Sequence, residues 1–219
     1  MVVYIYDPKE RGETGRVKDI SRVDLRVGKI LDIQEHLSFP AKGYMCQVDT
    51  GDVITSQYNR IPWHRLIAVL LDPQYTMREL WKKMVVVLCN VIPGFSRGIY
   101  INGVLLCAEQ GGKIELLSPS TTTKPGDKIY VEGYGRGTEK IFCPGDWRNE
   151  TRDFTDMNFV RMFEDNIVPS LKVDSERKVL YRDIPLRIEG KDGFITAESL
   201  SDCPVTHVPY EEPLYPGQR

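Results

Sequence analysis

The sequence lacks the features that would place it in a membrane or mark it for secretion. Of its 219 residues, 27% are charged, and no apolar run approaches the roughly 20 residues that a membrane-spanning helix needs. The opening residues, MVVYIYDP, form too short an apolar run and lack the basic segment of a signal peptide. We therefore expect a cytoplasmic protein with no membrane partner.

Cysteine and histidine are few and widely spaced. The five cysteines include no CxxC pair, and the three histidines do not lie at ligand spacing from them. This pattern disfavours a disulfide framework and a zinc site, so we expect no metal and no cofactor. Cys89 and Cys107 lie inside apolar runs, which predicts buried side chains that behave as small hydrophobic groups.

Signatures of catalysis are also missing. The chain has no P-loop and no GxGxxG dinucleotide motif, and neither His36 nor His64 belongs to a recognisable nucleophile motif. Asp49-Thr50-Gly51 matches the aspartic-protease triplet, but that chemistry needs two facing aspartates and the triplet occurs once. We predict a hairpin turn at residues 49–52 and a protein that is not an enzyme.

An excess of positive charge is absent as well. The formal net charge is -2, whereas proteins that hold a polyanion through many phosphate contacts usually show a basic bias. Any nucleic-acid site must therefore be a local patch.

What is present is a series of short strands separated by turn signals. We predict strands near residues 24–34, 44–49, 53–58, 84–89, 103–107, 113–117 and 128–132, with a helical turn at 77–83. Breaker residues place a boundary near 134–150, followed by an amphipathic helix at 154–168 and strands near 178–188 and 193–197. The predicted segments are a flexible lead-in (1–20), a barrel domain (21–134), an extension (135–203) and an extended or disordered tail (204–219).

Several motifs in fixed order resemble the tRNA-binding module of the endothelial-monocyte-activating polypeptide II family, which is appended to several aminoacyl-tRNA synthetases. The matching pieces are DLRVGKI at 24–30, MVVVLCN at 84–90, RG at 97–98 and KPGDK at 124–128. The resemblance implies a mainly β fold: a five-stranded Greek-key barrel of the OB type with a C-terminal α+β extension packed on it. YRDIPL at 181–186 resembles the extension of that branch, which implies a monomer whose extension forms a pseudo-dimeric interface.

The resemblance also implies a function, which is non-catalytic, shape-selective binding of tRNA beside an aminoacyl-tRNA synthetase. The synthetase signatures themselves are absent. The positions that match the family's binding residues, together with local positive charge and a possible stacking ring, are Lys29, Lys82, Lys83, Asn90, Arg97, Tyr100 and Asn102.

The sequence departs from the family in the loop at 92–98, which keeps Arg97 but lacks the two lysines of the usual Lys-Pro-x-Lys-Met-Arg-Gly pattern. Fewer phosphate contacts lower both the affinity and its salt dependence. A second hypothesis is therefore a protein-interaction scaffold, or a cytokine-like protein, that keeps the fold with weakened RNA binding.

Overall fold

A computed structural model describes most of the chain, and every structural statement below concerns those parts. They are residues 19–36, 43–55, 59–71, 74–89, 94–96, 99–134 and 163–207. No helix within them is long and apolar enough to cross a membrane.

The described residues are mainly β, as predicted. The strands are β1 (Leu25–His36), β2 (Gly43–Thr55), β3 (Arg60–Val69), β4 (Met84–Leu88), β5 (Gly94–Ser96), β6 (Ile99–Ile101), β7 (Val104–Gln110), β8 (Lys113–Leu116), β9 (Ser118–Pro119), β10 (Lys128–Val131), β11 (Leu171–Val173), β12 (Val179–Tyr181), β13 (Ile184–Ile188), β14 (Ile195–Thr196) and β15 (Cys203–His207). The helical segments are α1 (Met77–Leu80), 3-10 turns at Ile20–Arg22 and Val168–Ser170, and a π-helical turn at Phe163–Ile167.

Five strands from the first half of the chain close into a barrel. Strand β1 pairs with β2 and β4, β2 pairs with β3, and β4 pairs with β7, all antiparallel. Asn102, just before β7, closes the gap to β3, because its N–H donates to Leu66 O (3.1 Å) and its Oδ1 accepts from Leu66 N–H (2.8 Å). The strand order β1-β2-β3-β7-β4 gives the five-stranded barrel that the resemblance implies.

The C-terminal extension closes a second ring on the outside of this barrel. Strand β10 pairs with β1 on one side and with β13 on the other. The ring then continues through β12, β11 and β15 to β7. Strands β1, β4 and β7 are therefore shared by both rings, which confirms that the extension packs on the barrel.

The shared strands explain the run of apolar residues in β4. Val85 and Val87 point into the barrel core, whereas Val86 and Leu88 point into the core beneath the extension, and all four are at most 1% exposed. A strand covered on both faces has no solvent-facing positions, so apolar alternation gives way to a continuous hydrophobic run.

Cys89 and Cys107 both belong to the barrel core, which confirms the predicted burial. Burial raises the pKa of each thiol to about 12.

The predicted hairpin turn at residues 49–52 is wrong. Strand β2 runs through it, and the register against β3 shifts between Asp49 and Asp52, which makes the segment a β-bulge. Gly51 has a φ of +70°, and an added Cβ would lie 2.8 Å from Gly126 Cα and 2.9 Å from Pro125 O. Gly51, which predicts a turn in the sequence, thus lies in a bulge that packs against the turn before β10.

Other predicted boundaries also needed correction. Of the strand expected at 53–58, residues 53–55 form the end of β2 and residues 56–58 lie outside the described residues, whereas the long strand β3 was not predicted. The strand expected at 178–188 is the hairpin β12–β13. Arg182 and Asp183 have φ values of 47° and 67°, which lets two residues turn the chain without the usual glycine. Residues 204–207, assigned to the tail, continue β15, in which residue 204 pairs with β11 and residues 205–207 pair with β7. Much of the predicted helix at 154–168 lies outside the described residues, and its described end forms the π-helical turn and the start of a 3-10 turn.

Candidate nucleic-acid interface

Three of the predicted lysines gather where β1 meets the start of β4. Lys29 lies in β1 opposite Met84 of β4. The backbone N–H of Lys82 donates to Ile30 O (3.0 Å), and Ile30 N–H donates to Lys83 O (3.1 Å). The three residues therefore lie next to one another where the pairing of β1 with β4 begins.

The short helix α1 fixes the approach to this junction. Thr76 and Glu79 form a capping box, in which Thr76 Oγ1 accepts from Glu79 N–H (3.3 Å) and Glu79 Oε2 accepts from Thr76 N–H (2.8 Å). The backbone N–H and the hydroxyl of Thr76 both donate to the Glu79 carboxylate and hold the pKa of Glu79 below its usual value. Leu80 is fully buried in the barrel core and anchors the helix.

The lysines of the junction have different environments. Lys82 is exposed, and its Nζ lies 4.0 Å from the ring centroid of Trp81. Lys83 is 21% exposed and forms an ion pair with Glu198 of the extension, with 3.4 Å between Nζ and Oε2. Lys29 lies opposite Asp49 of β2. The positive charge of the cluster is thus partly offset by carboxylates.

Of the other residues predicted to bind RNA, some lie outside the described residues and one is too buried to reach RNA. Asn90 and Arg97 fall outside the described residues. Tyr100 lies in β6 opposite Phe95. Asn102 is 1% exposed, and its amide oxygen is used to close the barrel. A side chain so buried cannot reach RNA at the surface, so its placement contradicts the predicted contact.

Sequence reasoning missed a buried arginine that holds both ends of the segment carrying Asn90, Arg97 and Tyr100. Arg65 is 3% exposed, and its Nη1 donates to Cys89 O (2.8 Å) and to Asn102 O (2.6 Å). Since these carbonyls flank residues 90–101, one guanidinium fixes the spacing of the two ends. The available signal was the alternation Arg65, Ile67, Val69, which puts an arginine at an inward position of β3.

The rest of that guanidinium is neutralised within the β2 bulge. Arg65 Nη2 lies 2.8 Å from Asp52 Oδ2, and its Nε donates to Thr50 Oγ1 at 3.0 Å. Arg26 Nη1 contacts the other oxygen of Asp52 at 2.8 Å and also pairs with Asp24. Burial alone would raise the pKa of Asp52, but Arg65, Arg26 and the Thr50 hydroxyl outweigh it and hold that pKa below its usual value.

A second buried charge fastens the extension beside the lysines. Glu115 of β8 is 4% exposed, and its carboxylate accepts from Ser199 N–H (2.8 Å), Ser199 Oγ (2.5 Å), Leu200 N–H (3.3 Å) and Glu198 N–H. Burial alone would raise the pKa of Glu115, but these four donors hold it below its usual value. These hydrogen bonds fix the backbone of Glu198, whose side chain pairs with Lys83.

Between the barrel and the extension lies an open groove of about 520 Å³ beside the Lys83–Glu198 pair. Its walls are largely hydroxyl-bearing, and the lining residues are Lys83, Met84, Ser118, Pro119, Thr121, Thr122, Thr123, Thr196 and Glu198.

Comparisons with known proteins find a family model that matches the barrel. Residues 25–128 match the model of the putative tRNA binding domain. The chain is 28% identical over 189 residues to the aminoacyl tRNA synthase complex-interacting multifunctional protein 1 of Cricetulus griseus, covering 84% of this chain and 44% of the relative. It is 35% identical over 127 residues to the cytoplasmic tyrosine–tRNA ligase of Xenopus tropicalis, covering 54% of this chain and 21% of the relative.

The fold is similar to that of a solved structure, the C-terminal domain of Plasmodium vivax p43, with a TM-score of 0.64 and 22% identity. That similarity covers 87% of this chain and all of the other, so it includes the extension. The chain spans about half the length of the multifunctional-protein relatives and a fifth of the tyrosine–tRNA ligase. Residues 25–128 are thus similar to the putative tRNA binding domain, and the chain is similar to parts of a synthetase-associated protein and of a tyrosine–tRNA ligase.

Proposed function

We propose that the chain is a non-catalytic tRNA-binding module that works beside an aminoacyl-tRNA synthetase in the cytoplasm. The observation that carries the proposal is the gathering of Lys29, Lys82 and Lys83 at the β1–β4 junction, within the residues that match the tRNA-binding family. Ammonium groups held beside a rigid pair of strands can bind phosphates without reading bases. Arg97, Asn90 and Tyr100 are proposed as further contacts on the segment whose ends Arg65 holds.

The cluster supports modest affinity. Each phosphate that a lysine neutralises adds about 0.7 to 0.9 to the slope of log K against log salt. Lys83 forms an ion pair with Glu198, so part of its positive charge is neutralised within the protein. We therefore expect binding that is clear at low salt, with a modest salt slope of about 2 to 3 from the three lysines.

The extension supports a monomeric state. It covers the outer faces of β1, β4 and β7, where Leu25, Val86 and Leu106 are at most 3% exposed. In its absence these apolar faces would need a second copy of the chain to cover them. We propose that the extension takes the place of that copy, and sedimentation equilibrium at micromolar concentration should give the mass of one chain.

Binding of unfractionated tRNA at low salt tests the proposal. The native chain is compared with the triple variant Lys29→Ala, Lys82→Ala, Lys83→Ala and with Arg97→Ala. We expect at least a tenfold loss in the triple variant and a smaller loss in Arg97→Ala. Binding of the native chain no tighter than that of an acidic control protein would overturn the proposal.

A protein scaffold is the second candidate, and the end of the β2–β3 hairpin favours it. Val53 and Ile61 are 38% and 54% exposed there, next to Pro62. Exposed apolar side chains near the end of a strand pair suit a protein partner. Recovery of synthetases on the immobilised chain after nuclease treatment, with loss of recovery in Ile61→Ser, would support this function instead.

A further inference from the structure

The short helix α1 and the residue that caps its C-terminus, Trp81, carry two large exposed apolar side chains. Met77 is 41% exposed and Trp81, one turn later, is 55% exposed, whereas Leu80 between them is fully buried. Among the large hydrophobic side chains that the structure describes, Trp81 is the most exposed. Leu80 alone anchors the helix to the core, so the fold does not require an indole at position 81.

The backbone after Trp81 is in an unusual conformation. Lys82 has a φ of 63°, a left-handed conformation that costs energy in a residue with a side chain. Its ammonium lies 4.0 Å from the centroid of the Trp81 ring, within the range of a cation–π contact. A cation thus covers one face of an indole that remains more than half exposed.

The charge around this indole is positive. Residues 77–83 contain Arg78, Lys82 and Lys83 and a single carboxylate, Glu79. Glu79 Oε2 accepts from both the backbone N–H and the hydroxyl of Thr76, at the other end of the helix. An exposed aromatic ring flanked by cations is the arrangement on which nucleic-acid bases stack, with the adjoining phosphate on the cation.

We propose that Trp81 is a stacking platform for an unpaired RNA base and that Lys82 binds the phosphate next to that base. The proposal rests on the proposed tRNA-binding function and deepens it. The lysines supply attraction to any phosphate backbone, whereas Trp81 adds selectivity for RNA that presents an exposed base over closed duplex.

Trp81 fluorescence reports the contact directly. The background variant Trp63→Phe, Trp147→Phe leaves Trp81 as the single tryptophan, and it is titrated with unfractionated tRNA and with a blunt RNA duplex. A base stacked on the indole quenches its emission, so we expect strong quenching by tRNA and weak quenching by the duplex at equal occupancy.

Affinity separates stacking from charge. In the wild-type background, Trp81→Ala should weaken tRNA binding about 5- to 150-fold without changing the salt slope. The matched variant Trp81→Phe, which keeps a ring, should lose much less. Lys82→Ala should lower the salt slope by about 0.7 to 0.9.

The outcomes distinguish the two proposals. If Trp81→Ala binds tRNA like the wild type while the lysine triple variant loses affinity, the stacking proposal fails and the tRNA-binding function stands. If the native chain does not bind tRNA, both fail. If Trp81→Ala keeps its RNA affinity but abolishes a concentration-dependent self-association seen by sedimentation, the exposed face is a protein contact and the proposal is overturned.

Discussion

Replacing Arg65 by methionine removes the charged group that joins three parts of the barrel. The guanidinium is 3% exposed and contacts Asp52, Thr50 and two backbone carbonyls. The variant leaves the carbonyls of Cys89 and Asn102 without this donor, at a cost of about 1–3 kcal/mol for each buried acceptor that stays unsatisfied. Removing one partner of a buried ion pair costs about 3–5 kcal/mol. These contributions overlap, so we expect about 3–5 kcal/mol in total.

Equilibrium unfolding in urea measures the loss, with Arg26→Met as the matched control. Arg26 also contacts Asp52 but is 20% exposed, so solvent screening should limit its cost to about 1–2 kcal/mol. Arg65→Lys should fall between the wild type and Arg65→Met, because one ammonium cannot satisfy acceptors arranged around a planar guanidinium.

The order of the three variants in unfolding free energy tests the role of Arg65. A free energy of unfolding for Arg65→Met within about 1 kcal/mol of the wild type, or a larger loss in Arg26→Met, would refute the view that Arg65 holds the two ends of residues 90–101. If Arg65 holds residues 90–101 as inferred, Arg65→Lys should also lose tRNA affinity under conditions where it remains fully folded.

Two further predictions concern the barrel and the joint to the extension. Gly28→Ala should cost about 1–3 kcal/mol in urea unfolding, because the added Cβ would lie 2.7 Å from Val87 Cγ2 and 2.8 Å from Val48 Cγ1; Val48→Ala in the same chain should restore part of the loss, and additive costs would contradict this. Glu115→Gln should cost about 1–3 kcal/mol at pH 7, judged by thermal unfolding. Since the folded pKa of Glu115 is lowered, its stabilisation is complete above its unfolded pKa and is lost as pH falls through the folded pKa. Wild type and variant should therefore converge in acid, and a constant difference would contradict the assignment.

The parts of the fold that could be predicted are those that local sequence patterns determine. The run Val85 to Leu88 marks a doubly buried strand, and the ordered motifs around it identify the barrel. The continuation of β2 through Gly51 could not be predicted, because Asp-Thr-Gly-Asp is equally good turn chemistry. What makes it a bulge is the approach of Gly126, which comes from a segment far along the chain.

The candidate site shows the same division. Lys29, Lys82 and Lys83 were identifiable from the motifs that they flank, and the structure brings them to one junction. The burial of Asn102 and the exposure of Trp81 could not be predicted from the sequence. An asparagine between two apolar segments gives no sign that it closes a barrel, and a tryptophan after an amphipathic turn normally packs inward. Only the tertiary placement of Leu80 leaves that indole in solvent.

The most direct test of the account is the salt dependence of tRNA binding for two triple variants with the same change of charge. One removes the junction lysines, Lys29, Lys82 and Lys83, and the other removes Lys128, Lys172 and Lys178, which lie in or next to β10, β11 and β12. The account predicts that the slope of log K against log salt falls by about 2 to 3 in the first variant and stays near the wild-type value in the second. Equal slopes in the two variants would contradict it.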